Sequence, residues 1–130
     1  MIQRIQTLFL TLIVIVASAG LFLKLYSIDG DSHIVLEDNN LTIVSSIIST
    51  ISLVSIFMHG DRRKQIRLCY IIMFLSLIYG VIIGIDYSKY NTDFNTMLIG
   101  FPIIIFILAY FAQYFIKNDL KLVESADRLR

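Results

Sequence analysis

A single cysteine, Cys69, leaves this 130-residue chain without a partner for thiol exchange. Four-span disulfide oxidoreductases and quinone-coupled thiol enzymes, which need a Cys pair to pass electrons, are therefore excluded. Histidine is scarce too: His33 and His59 fall on opposite sides of the layout derived below and cannot together ligate a haem or zinc within it. Charge is the third shortage. Four stretches, about 5–23, 41–58, 68–85 and 97–116, contain no Asp, Glu, Lys, Arg or His. Ion-coupled transport generally uses an ionisable group within its spans, and small multidrug exporters depend on a buried glutamate. No serine nucleophile with a histidine partner and no buried Asp pair occurs in these stretches, so no catalytic residues, cofactor or metal are expected and the chain does not read as an enzyme.

What the chain has is apolar length. Each stretch holds about 18 to 20 residues, which at about 1.5 Å per residue covers a hydrocarbon core of about 30 Å. With 57% hydrophobic and 16% charged residues, no room remains for a soluble domain beside the spans. Between Leu98 and Leu108 only Gly100 and Pro102 depart from large apolar residues, a surface that a soluble helix would expose to water. The expected architecture is an all-α, polytopic four-transmembrane-helix bundle over 1–130, ending in a short cytoplasmic C-terminal helix over 117–130.

Lys and Arg alternate by side. Arg4, Arg62, Arg63, Lys64, Arg67, Lys117, Lys121, Arg128 and Arg130 fall on one side, and Lys24 and Lys89 on the other. Basic residues close to the membrane are retained in the cytoplasm, so both termini are expected inside. Met1 to Arg4 with Ala17-Ser18-Ala19 has the outline of a signal peptide, but the apolar run continues through Leu23, which favours an uncleaved anchor.

Small and hydroxylated residues mark expected helix contacts. Thr42, Ser45, Ser46, Ser49 and Ser52 recur at helical spacing, and Ser76, Gly80 and Gly84 form a small-xxx-small ladder; both are expected to face other helices, the ladder within the molecule or at a homodimer seam. Tyr110, Gln113 and Tyr114 are expected at the inner interface, and Tyr26, Tyr87 and Tyr90 at the outer one. The outer stretch Ser27 to Asn40 reads as a solvated loop with a possible short strand at His33 to Leu36. Lys117 to Arg130 reads as a helix with Leu120, Val123 and Ala126 at helical spacing, Leu122 and Leu129 widening the apolar side, and a favourable Glu124 to Arg128 pair; it is expected to lie on the membrane surface, cap the bundle from below, or present a face to a cytoplasmic partner.

Both ends of the chain carry a resemblance. Met1-Ile2-Gln3-Arg4-Ile5-Gln6-Thr7 leading into the first span, and Leu122 to Arg130 with Ser125-Ala126-Asp127-Arg128-Leu129-Arg130 closing the tail, resemble a family of small bacterial four-span integral membrane proteins catalogued as a domain of unknown function. That resemblance implies a cytoplasmic-membrane protein and no catalytic or binding residues. Both motifs fall on the expected cytoplasmic face, where Arg4 and Gln3 would meet Asp127, Glu124 or Arg128, and where Arg62, Arg63 and Lys64 complete a contact surface. The expected role is structural, accessory or interaction-based, with the lipid bilayer and a membrane-protein partner or second copy as partners and no nucleic acid. A small transporter or pore for an apolar or neutral solute is the alternative.

Overall fold

The computed structural model describes the backbone over residues 2–28, 31–35, 38–58, 60–90 and 95–129, and side chains over 5–23, 35, 38–58, 60–89 and 95–129. Four helices run up and down: α1 (Ile2–Leu21), α2 (Asn39–Phe57), α3 (Arg62–Tyr90) and α4 (Gly100–Arg128), the last entered through a 3-10 turn at Thr96–Ile99. Each of α1 and α3 packs against both α2 and α4, which closes a four-membered ring. Three runs among the described residues, Asn39–Phe57, Arg62–Lys89 and Thr96–Arg128, are long and apolar enough to cross a membrane; α1 carries a shorter apolar stretch, Ile5–Leu21.

The connections explain this order. Asp38 stops the chain before α2 and caps it, its carboxylate accepting from the backbone amides of Asn40 and Leu41 at 2.9 and 3.2 Å. Between α2 and α3 the chain reverses tightly: the Asp61 amide donates to the Met58 carbonyl at 3.1 Å, and the Asp61 carbonyl accepts from Lys64 and Gln65. A link this short forces antiparallel neighbours. Lys64 lies 2.8 Å from the Asp61 carboxylate, and its hydrogen bond and charge hold that carboxyl below the usual carboxylate range.

The solvated loop expected at Ser27 to Asn40 is in part a β-hairpin. β1 (Lys24–Ile28) pairs antiparallel with β2 (Asp31–Ile34), in register Ser27 with Ser32 and Ile28 with Asp31, and with an irregularity between Lys24 and Tyr26. A strand was expected only at His33 to Leu36; the observed one begins earlier because its partner is the stretch just after α1. Pairing continues where the Val35 amide donates to the Leu23 carbonyl at 2.9 Å. Val35 is fully buried, so the hairpin base is pinned to the bundle.

Inside the ring, the most buried positions advance by alternating steps of four and three: Gln6, Leu10, Ile13, Ala17 and Gly20 in α1; Leu41, Ser45, Ile48, Ser52 and Ser55 in α2; Gln65 through Asp86 in α3; Leu98 through Asp119 along α4. This is the spacing of knobs that enter a neighbouring helix at nearly parallel crossing. Large side chains such as Phe57, Phe74, Leu77, Val81 and Ile103 point outward and are more than half exposed. The exterior is thus apolar, unlike that of a water-soluble bundle, while the interior mixes large apolar residues such as Leu10, Ile48 and Ile105 with small and polar ones such as Ala109, Ser52 and Gln113.

Candidate interaction site

Four contacts set the relative heights of the helices. The Ser45 hydroxyl of α2 donates to the Ala17 carbonyl of α1 at 2.8 Å, and the Gln65 amide of α3 donates to the Ser55 carbonyl of α2 at 3.2 Å. Phe9 of α1 stacks on Phe111 and Phe115 of α4 at 5.9 and 5.6 Å, and Gly80 of α3 lies against Pro102 of α4. Gln6, Ser55, Gln65 and Ile116 consequently share one core layer near the basic end. Gln6 Nε2 and Ser55 Oγ are buried there without a hydrogen-bond partner, so this layer gains less from burial than the apolar layers above it.

One turn nearer the basic end, α3 is fastened to α4. Arg62 Nη2 stands 3.2 Å from Asp119 Oδ2, and its Nη1 donates to the Asp119 carbonyl at 3.4 Å. The carboxylate oxygen has no aligned donor, so the first contact is an ion pair without a hydrogen bond. Farther out, Arg63 Nη2 donates to Glu124 Oε1 at 3.1 Å. The expected pair of Glu124 with Arg128 along the tail gives way to this cross-helix bond, because Arg63 approaches from α3 with the same charge.

The remaining expected contact residues divide. Lys64, Asp127 and Arg128 are exposed, and the Gln3 and Arg4 side chains lie outside the described residues, as does Arg130. Asp119 was not anticipated, although its place at the end of the four-and-three stripe in α4 marks a charge held at a core register. Gln113, expected at the interface, is 6% exposed and lies in the core beside Ala112. Only Tyr110 and Tyr114 of that group face outward.

The hydroxyl stripe in α2 also divides. Ser45 and Ser52 are buried, Ser49 is half-buried, and Ser46 is exposed because it stands about 100° around the helix from Ser45. Ser49, Ser52 and Ser76 donate to carbonyls of their own helices, those of Ser45, Ile48 and Met73, at 3.0, 2.8 and 2.7 Å. Ser45 bonds across to α1 instead. Ser45→Ala is therefore expected to lower stability by about 0.6 kcal/mol, the size of an average interhelical hydrogen bond in an apolar medium, while Ser52→Ala is near neutral. Unfolding in detergent checks the difference.

The small-residue ladder drifts out of the core. Ser76 is buried, a Cβ on Gly80 would stand 3.6 Å from Pro102, and a Cβ on Gly84 would meet nothing within 4 Å. Successive steps of four residues rotate about 40° each, so the third member leaves the α3–α4 contact. Gly84 is not a packing residue within the molecule. It forms part of the floor of an outward groove of about 440 Å³ between α3 and α4, lined by Leu77, Gly80, Val81, Pro102, Ile103 and Phe106 among others.

α4 continues past the clamp as one unbroken helix to Arg128, and every residue from Lys121 to Leu129 is exposed. Leu122, Val123, Ala126 and Leu129 extend the core-facing stripe of α4 beyond Asp119, and all four are exposed. Leu122 and Leu129 are 57% and 90% exposed.

The geometry defines a four-helix bundle with an apolar exterior, polar layers inside its basic end and a projecting amphipathic tail. The chain belongs to the family described as Domain of unknown function (DUF4293), matched over residues 30–129. The match takes in α2 to α4 and the tail through Leu129, and leaves α1 outside. No curated protein and no solved structure matches the chain.

Proposed function

We propose that the protein is a non-enzymatic accessory protein of the bacterial cytoplasmic membrane, which docks a membrane-protein partner through the projecting end of α4. Membrane placement is supported by the outward-facing large apolar side chains and by helices of membrane-crossing length. Orientation with both termini inside is supported by the basic residues gathered at the Arg62 and Lys117 end of the bundle. On this reading α1 is the fourth span.

The observation that carries the docking role is the exposed apolar stripe of Leu122, Val123, Ala126 and Leu129. It continues an unbroken helix whose preceding turns are packed in the bundle, so it leaves along the bundle direction instead of lying flat on a lipid surface. The Arg62–Asp119 and Arg63–Glu124 contacts hold its base in place. A preorganised helix face of this kind suits a groove or a second helix that reads apolar anchors at three- and four-residue spacing. The hydroxyls of Ser49, Ser52 and Ser76, spent on their own helices, favour packing over a polar path for solutes.

Replacing Leu122, Val123 and Leu129 by Ser should abolish co-isolation of a stoichiometric partner from native membranes while leaving the bundle's melting in detergent unchanged, since these side chains touch no core residue. Native mass spectrometry of the gently extracted protein reads both partner and copy number. Retention of the partner by the triple variant would refute the docking role, and recovery of the chain in the soluble fraction after alkaline extraction would refute the membrane placement.

A further inference from the structure

The α3–α4 groove faces outward in the half of the bundle nearer the hairpin. Its α3 wall runs from Ser76 to Tyr87, about 16 Å at 1.5 Å per residue, close to half of a hydrocarbon core of about 30 Å. Its floor exists because Gly80 and Gly84 have no side chains; its rims are Leu77 and Val81 on one side and Ile103 and Phe106 on the other. The Ser76 hydroxyl within it already donates to the Met73 carbonyl at 2.7 Å. Between Ser76 and Gly84 the groove therefore rewards dispersion contact with a slender apolar body.

A second copy of this chain is a poor fit. About 440 Å³ spread along about 16 Å leaves a cross-section of roughly 28 Å², too slim for the body of a helix about 10 Å across. The occupant has to be convex, narrow, apolar and one leaflet long. We infer that the groove is a binding site for one hydrocarbon chain of a phospholipid in the hairpin-side leaflet, laid along α3 over Gly80 and Gly84 with Tyr87 at the mouth. This inference rests on the membrane placement proposed above.

Gly84→Leu tests it, because a side chain at that position grows into open space and fills the groove from its floor; Gly84→Ala is the milder second variant. The full chain, in nanodiscs of phosphatidylethanolamine and phosphatidylglycerol, is released in a native mass spectrometer under graded activation. Wild type is expected to retain one phospholipid, Gly84→Leu to lose most of it, and Gly84→Ala to fall between. Ile43→Val, on the outward surface of α2 and not among the groove's lining residues, should retain lipid as wild type does. Equal retention in wild type and Gly84→Leu would overturn the inference, as would a bare wild type. Loss of a co-isolated protein from Gly84→Leu with lipid retention unchanged would assign the groove to a partner's helix instead. Failure of the membrane placement is distinguished by release of the chain in alkaline extraction before any lipid is measured.

Discussion

Asp119→Ala is expected to cost the bundle about 3 kcal/mol, the lower part of the range for breaking one side of a buried ion pair. The Asp119 and Arg62 side chains are 12% and 19% exposed, so the pair is largely withdrawn from water. Removing the carboxylate leaves the guanidinium confined against α4 with only the Asp119 backbone carbonyl at 3.4 Å to receive it. The outer Arg63–Glu124 pair supplies a control on the same two helices. Its side chains are 79% and 47% exposed, and an exposed pair contributes about 0.5 kcal/mol. Reversible unfolding in mixed micelles should rank Asp119→Ala far below Glu124→Ala. An Arg62→Ala, Asp119→Ala double variant should cost less than the sum of the two single changes, because neither partner is left alone. Equal losses for Asp119→Ala and Glu124→Ala would show that the clamp is no stronger than a surface pair.

Gly20→Leu is expected to be comparably damaging, by about 3 kcal/mol, at the upper end of the cost of overpacking a filled core. Gly20 sits where three helices meet: a Cβ there would stand 3.1 and 3.4 Å from the Phe101 ring of α4 and 3.7 Å from the Tyr79 hydroxyl of α3. The Phe101 ring can yield a few tenths of an ångström to a methyl group, so Gly20→Ala should be mild. A leucine side chain needs the space the ring occupies. Adding Phe101→Ala to Gly20→Leu should recover part of the loss, a coupling that independent sites do not show. Unfolding measurements on the single and double variants decide it; wild-type stability in Gly20→Leu would mean that α1 and α4 are not in contact at this height.

Much of the fold was legible from uncharged length. The expected spans 5–23, 41–58, 68–85 and 97–116 fall within or close to Ile2–Leu21, Asn39–Phe57, Arg62–Tyr90 and the run from Thr96 to Arg128. The differences lie at the two ends of α3, where the backbone hydrogen-bond ladder continues through charged residues that polarity alone assigns to loops; the helical continuation of α4 through its charged tail was expected. The hairpin was half legible, because β1 resembles the tail of an apolar run and becomes a strand only by pairing with β2. The site was less legible still. Ser46 was grouped with Ser45, and Gly84 with Gly80, since spacing within one helix does not say which neighbour stands alongside. Gln6, Gln65 and Asp119 occupy inward positions that look like surface residues until the stripe they share is seen to face the core.

By itself the sequence determined that four helices would form, because long runs without charge satisfy their backbone groups only within the segment, and it determined which end of the bundle is basic. Tertiary structure alone decided that Gly80 meets Pro102 while Gly84 lines open space, that Arg62 finds Asp119, and that the apolar stripe at the end of α4 is exposed. Each of these depends on the relative height and rotation of two helices, a property of the pair that neither helix carries in its own periodicity.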